Sequence, residues 1–178
     1  QKIETLYRYE QFEEALKWCE SVIRIDPLEP KPYFRRAVIS IFHRDEPESS
    51  LPDISRVIEL DPENYRGYAL RAYANQKIYG TSGGNAVSTL QDVNRALDMM
   101  DRPQSSDFWV FWVRAAVWNS TGQNGYALKD YDKAIKLEDE FKDFFGKAAS
   151  LKQLGEVAMA QREWHDALRC FLFAFEIW

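Results

Sequence analysis

The sequence that decides the fold is YEQFEEALKWCESVIRIDP, residues 9–27. Its apolar pattern consists of Ala15, Leu16, Cys19, Val22 and Ile23. Spacings of three and four residues place one apolar stripe along an α-helix, with acidic and basic residues on the opposite face. Proline cannot continue a helix but can open the next connection, so Asp26-Pro27 marks its end. The segment therefore predicts an amphipathic helix followed by a turn.

The same pattern occurs five times along the chain. Its leading leucines are Leu16, Leu51, Leu90, Leu128 and Leu168, at steps of 35, 39, 38 and 40 residues. Each leucine follows a small residue and precedes a larger apolar residue by three positions. Self-similarity at such a period is typical of arrays of stacked helical units. The chain therefore predicts five related amphipathic helices.

A second pattern precedes four of these helices: an aromatic residue, then Arg or Lys three positions later, then Ala. The copies are Tyr33 with Arg36-Ala37, Tyr68 with Arg71-Ala72, Phe111 with Arg114-Ala115, and Phe144 with Lys147-Ala148. A small residue at a fixed position marks a place where two helices cross closely. Breaker residues at 46–47, 81–85 and 122–125 separate the two patterns. The unit is therefore a helix hairpin repeated about five times, without β-sheet.

These patterns resemble the tetratricopeptide repeat (TPR) family, whose unit is a 34-residue antiparallel helix pair. The resemblance covers nearly the whole chain and is clearest at residues 9–27, 122–137 and 154–174. It implies an all-α solenoid, a right-handed superhelix of antiparallel helix pairs. The approximate repeats are 1–28, 29–62, 63–102, 103–139 and 140–178.

Insertions interrupt the regular spacing near residues 46–48, at 81–85 and before Leu154. We expect 81–85 to be a mobile loop outside the stack, since Ser-Gly-Gly-Asn offers no apolar anchor. We expect the first helix of the last repeat to be long or kinked. The short first repeat and the apolar last helix, 168–178, lead us to expect that the segment belongs to a longer protein.

Composition excludes several classes of protein. Hydrophobic residues make up 46% and charged residues 29%, as in globular proteins. A net charge of −5 argues against a nucleic-acid partner. The longest apolar runs, such as Phe108–Val113, are too short for direct membrane insertion. The two cysteines, Cys19 and Cys170, fall in helical apolar patterns, which favours a reducing, cytoplasmic compartment.

Catalytic and metal-binding patterns are missing from the sequence. His43 and His165 have no partners at metal-ligand spacing beyond those that any helical surface produces. The glycines of 80–85 are not followed by the lysine of a phosphate-binding loop. We therefore expect no enzyme activity, no metal and no cofactor.

The TPR resemblance implies that the first helix of each pair lines a concave groove. Helical spacing around the packing alanines then predicts the residues that face this groove: Lys31, Phe34, Arg35, Val38, Arg66, Ala69, Leu70, Tyr73, Lys77, Trp109, Trp112 and Ala116. This set contains four basic side chains and no acidic one. Trp109 and Trp112 lie outside the hairpin interface, so either a neighbouring element or a ligand covers them.

The resulting hypothesis is a protein-protein interaction module. We expect its groove to bind a peptide or protein segment that combines carboxylates with bulky apolar residues. The alternative is a scaffold that joins subunits through its outer face and apolar ends, with self-association through the C-terminal helix.

Two further alternatives are less favoured. A TPR subclass clamps the carboxy-terminal carboxylate of chaperones, and Arg66 matches one of its lysines. However, Arg35 stands where that subclass has Asn, and Leu70 where it has Arg. An RNA-binding helical repeat conflicts with the acidic charge balance and lacks a recurring polar pair at one groove position.

Overall fold

A computed structural model describes residues 12–80, 85–101, 107–141, 144–162 and 170. Within these ranges eight helices follow one another and no strand occurs. They are α1 (Phe12–Ile25), α2 (Pro30–Phe42), α3 (Pro47–Leu60), α4 (Tyr65–Tyr79), α5 (Ala86–Asp98), α6 (Phe108–Ser120), α7 (Asn124–Phe141) and α8 (Phe144–Ala160). The helical architecture predicted from the sequence is confirmed.

Local sequence sets several helix boundaries. The side chain of Glu29 accepts a hydrogen bond from the Lys31 amide at the start of α2, and Asn64 does the same for Arg66 at the start of α4. Such caps satisfy amide groups that have no partner inside the helix. Gly80 ends α4 with a φ of +53°, a backbone conformation that glycine adopts without strain.

The alanines of the second sequence pattern lie where helices cross. Ala37, Ala72 and Ala115 are fully buried, as the crossing-point interpretation requires. Each first helix packs against the second helix of its own pair: α2 against α3, α4 against α5, and α6 against α7. The two helices of each pair can approach closely at these positions because an alanine side chain is small.

Among the described residues, four apolar cores lie along the array, and each is shared by consecutive repeats. One joins α1 and α2, through Ala15, Leu16 and Ile39. The second joins α2, α3 and α4, through Ala37, Ile41, Ile54, Leu70 and Ala74. The third joins α4, α5 and α6, through Tyr68, Ala69, Ala72, Val93, Ala96, Val110 and Val113. The fourth joins α6, α7 and α8, through Ala115, Ala127, Tyr131 and Val157.

The ends of the helices can be compared with the approximate repeats expected from the sequence. The pairs α2–α3 and α4–α5 lie within 29–62 and 63–102, whereas α7 continues to Phe141, beyond the boundary at 139. Helix α8 is 17 residues long, so the expectation of a long first helix in the last repeat is confirmed. The loop prediction for 81–84 and the self-association prediction for 168–178, apart from Cys170, concern residues outside the described ranges.

A partly buried ion pair, which we call the brace, joins the two helices in three of the hairpins. In each, the arginine before the packing alanine donates two hydrogen bonds to an aspartate on the second helix of the same pair. The pairs are Arg36–Asp53, at 2.7 and 2.7 Å, Arg71–Asp92, at 2.7 and 2.7 Å, and Arg114–Asp130, at 2.6 and 2.9 Å. These hydrogen bonds raise the pKa of Arg36 and of Arg71. Bidentate pairing of this kind fixes both the distance and the rotation between two helices.

Candidate functional site

The candidate groove is formed by α2, α4 and α6. Helix α4 contacts both α2 and α6, so these three first helices lie side by side. Each comes from a different repeat. A ligand that crosses the three helices therefore meets residues that are far apart in sequence.

Tyr73 lies at the centre of this surface. Its ring stacks on Phe42 at a centroid distance of 4.8 Å, lies edge-on to Trp109 at 6.4 Å and is tilted against Trp112 at 5.8 Å. We call these four residues the aromatic floor. Phe42 is 45% exposed and the other three are half-buried. One continuous aromatic surface thus spans three repeats.

The hydroxyl group of Tyr73 is a candidate hydrogen-bonding group of the aromatic floor. Burial raises the pKa of Tyr73, and the nearby charge of Lys77 opposes that rise. The hydroxyl makes no hydrogen bond to any part of the chain that the structure describes. A neutral phenol in this position can donate a hydrogen bond to a peptide carbonyl or accept one from an amide.

Trp109 and Trp112 belong to the aromatic floor and also pack against the apolar cores. Trp109 packs against the second and third cores, and Trp112 against the third and fourth. The buried Nε1 of Trp112 has no acceptor among the described residues. Neighbouring helices therefore cover part of each indole, and the remaining face contributes to the aromatic floor.

Two of the predicted basic residues pair with carboxylates that lie outside the predicted set. Lys77 forms an ion pair with Asp45, and this hydrogen bond raises the pKa of Lys77. Arg66 donates to the hydroxyl of Tyr65 at 3.2 Å and lies 3.8 Å from the carboxylate of Asp107. Asp45 comes from the turn after α2 and Asp107 from the start of α6, so helical spacing within the first helices did not include them. Lys31 is exposed at the start of α2.

The other predicted groove residues are more deeply placed. Leu70 and Ala69 are buried in the second and third cores, so neither offers its side chain to a ligand in this structure. Phe34 and Val38 are half-buried against the second core, and Arg35 is half-buried on the same helix. Phe42 is not among the groove residues predicted from the sequence. It lies four residues after Val38, which lies four residues after Phe34, so helical spacing alone could have included it.

In the described ranges, no group of three or more His, Cys, Asp or Glu side chains is placed to hold a metal ion. No helix in the same residues combines the length and apolar character needed to cross a membrane.

Comparison with known proteins gives structural matches only. No protein-family model matches the sequence, and no curated protein matches it. Among solved structures, PilW, a type IV pilus biogenesis factor, has a TM-score of 0.76 at 14% identity, covering 99% of this chain and 74% of that chain. A thermophilic TPR protein of Thermus thermophilus has a TM-score of 0.74 at 18% identity, covering 98% and 87%.

MamA of Desulfovibrio magneticus is a third similar structure. Its TM-score is 0.71 at 14% identity, covering 98% of this chain and 90% of that chain. At these identities the likeness concerns the fold. Together with the repeated hairpins and their shared cores, it shows that this chain has a TPR-like helical repeat fold, an all-α solenoid.

Proposed function

We propose that the chain is a non-enzymatic interaction module that binds a segment of a partner protein on the aromatic floor. The observation that carries the proposal is the arrangement around Tyr73, whose ring contacts aromatic residues from two neighbouring repeats. Rigid aromatic groups supply large contact area at a small entropic cost, which is why they dominate binding energy at many interfaces.

The partner segment should carry a bulky apolar residue together with a carboxylate. The apolar residue packs against Phe42 and Tyr73, while the hydroxyl of Tyr73 bonds to the partner's backbone. Because Lys77 already pairs with Asp45, the carboxylate is directed to the exposed Lys31. Apolar contact then supplies most of the affinity, and charge mainly increases the association rate.

A matched pair of variants tests the floor. Phe42 and Tyr79 are the last residues of α2 and α4, and each is 45% exposed. Only Phe42 belongs to the aromatic floor. Covering the exposed half of a phenylalanine contributes about 1 kcal/mol, so Phe42→Ser should weaken binding about fivefold. Tyr79→Ser should change it less than about twofold.

The ligand for this test comes from a random peptide library displayed on phage and selected on the immobilised chain. Synthetic copies of the retained peptides are then measured by fluorescence anisotropy against both variants and Tyr73→Phe, which removes only the hydroxyl. Melting curves equal to wild type show that the variants are folded. Equal affinities for Phe42→Ser and Tyr79→Ser would refute the proposal.

A second set of variants tests the scaffold alternative. Val87 and Tyr126 are 67% and 58% exposed on the second helices α5 and α7. They are apolar residues outside the aromatic floor. If Val87→Ser and Tyr126→Ser abolish binding while the floor variants retain it, the scaffold function replaces the groove function.

A further inference from the structure

The turn after each of the four described first helices contains a residue with positive φ. These residues are Asp45 after α2, Gly80 after α4, Gly122 after α6 and Arg162 after α8, with φ values of +56°, +53°, +75° and +64°. Glycine adopts a positive φ without strain, whereas a residue with a side chain is disfavoured there. Asp45 therefore occupies a position at which glycine would be easier to accommodate.

The side chain of Asp45 reaches the next repeat. Its carboxylate forms an ion pair with Lys77 on α4, and the side chains of Asp45 and Lys77 are 79% and 38% exposed. Exposed ion pairs contribute little to stability, because water and salt screen them. Stability alone therefore does not account for an aspartate at this turn. A residue that is held in a disfavoured backbone conformation is a reason to look for a function.

The Asp45–Lys77 pair lies at the edge of the aromatic floor. Lys77 follows Tyr73 by one helical turn on the same face of α4, and Asp45 follows Phe42 by three residues. Burial raises the pKa of Tyr73, while the charge of Lys77 lowers it and the charge of Asp45 raises it. Both charges therefore act on the Tyr73 hydroxyl. A ligand that covers Phe42 and Tyr73 comes close to both of them.

The pair changes what this edge of the floor attracts. Lys77 alone would attract a carboxylate of the ligand and so strengthen the binding of an acidic segment. Asp45 cancels that attraction, and because it is the more exposed partner, its negative charge opposes a ligand carboxylate that approaches the edge. Juxtaposed like charges are a common means of excluding wrong partners from an interface.

We propose that Asp45 determines the charge specificity of the aromatic floor. It neutralises Lys77, so the floor selects partner segments whose apolar residue is flanked by an uncharged group at this edge, and a carboxylate there weakens binding. The carboxylate of the partner is thereby restricted to the side of Lys31. This inference rests on the function proposed for the floor, and it adds which charge the ligand lacks beside its apolar residue.

The test compares two aromatic compounds of nearly the same shape. Phenylacetate carries a carboxylate next to its ring, and phenylacetamide has an uncharged amide in its place. Titration of the whole chain followed by NMR should give saturable shifts at Phe42 and Tyr73, with affinities on the order of millimolar. Wild type should bind phenylacetamide at least as tightly as phenylacetate. Asp45→Asn should bind phenylacetate about threefold more tightly than wild type does, with the affinity for phenylacetamide unchanged.

Two further variants locate the effect. Glu59→Gln is the matched control, because it also removes a carboxylate from an exposed ion pair, Arg56–Glu59, but on the second helix α3 and outside the floor. It should leave both affinities unchanged. Adding Lys77→Gln to Asp45→Asn should abolish the gain for phenylacetate, because the freed ammonium group of Lys77 is the source of that gain. Melting curves equal to that of wild type show that each variant is folded.

The outcomes separate this proposal from the function on which it rests. If both compounds shift the floor signals but Asp45→Asn gives no gain for phenylacetate, Asp45 does not set the specificity and the floor function stands. The same conclusion follows if Glu59→Gln gives an equal gain or if the gain persists after Lys77→Gln. If neither compound gives a saturable shift at Phe42 or Tyr73, both the role of Asp45 and the floor function are overturned.

Discussion

Replacing Asp130 by Asn should destabilise the chain by about 2 kcal/mol. The side chain of Asp130 is 5% exposed and that of Arg114 is 20% exposed, so water replaces their contact poorly. The oxygen of the asparagine amide can accept one of the two hydrogen bonds from Arg114. Its NH2 group is a donor and cannot accept the other. A hydrogen bond to a charged group contributes about 1.5 to 3 kcal/mol. Asn94, which accepts from Arg114 at 3.1 Å, retains part of the support.

An exposed ion pair provides the control. Arg56 and Glu59 lie three residues apart on α3, with side chains that are 36% and 65% exposed. Their single contact is 3.1 Å long. Glu59→Gln should therefore cost less than about 0.5 kcal/mol.

Urea unfolding followed by circular dichroism measures both variants. If the unfolding free energy depends on urea concentration with a similar slope in wild type and variants, the substitutions change stability and not the surface exposed on unfolding. A double-mutant cycle with Arg114→Gln should give a coupling energy of about 1 kcal/mol or more. The brace would be refuted as a source of stability if Asp130→Asn lowered the free energy of unfolding no more than Glu59→Gln does. A coupling energy near zero would refute it as well.

Other predictions concern buried side chains. Ala72→Leu should cost about 1 to 3 kcal/mol by overpacking the third core, seen as a lower Tm, whereas Val87→Leu at an exposed position should leave Tm unchanged. Cys19 should react with iodoacetamide at pH 8 about a hundredfold more slowly in the native chain than in urea, because burial raises its pKa to about 11; equal rates would contradict this. Stability should fall as the pH rises from about 9 to 11, since the unfolded thiol loses its proton first, and Cys19→Ala should remove that part of the decline.

Helix positions could be predicted from the sequence because their signal is local. The spacing from Ala15 to Ile23 recurs wherever a second helix lies, and the alanine before each crossing is fully buried. The braces were missed for a different reason. Asp53, Asp92 and Asp130 each follow the leading leucine of their helix by two residues, but a search for apolar repeats discards polar positions. A search for recurring charges would have found them.

The candidate site was less predictable because several elements form it. Helical spacing put Tyr73 and Trp109 in the same predicted set, and their rings contact each other. The same spacing assigned Leu70 to the groove, whereas the neighbouring α2 and α3 bury it. Asp45 belongs to a turn, and its approach to Lys77 depends on how consecutive repeats are stacked. Stacking geometry is not encoded in the periodicity of one helix.

Helix α4 is the middle one of the three first helices α2, α4 and α6, each of which contributes residues to two cores. Leu70 and Ala74 belong to the second core, whereas Tyr68, Ala69 and Ala72 belong to the third. In an array that is held together by contacts between neighbours, opening spreads inward from the ends. The amide protons of α4 should therefore exchange with solvent more slowly than those of α1, because both cores must open before α4 is released. Loss of this one helix would divide the array into two shorter pieces, each with an uncovered apolar face.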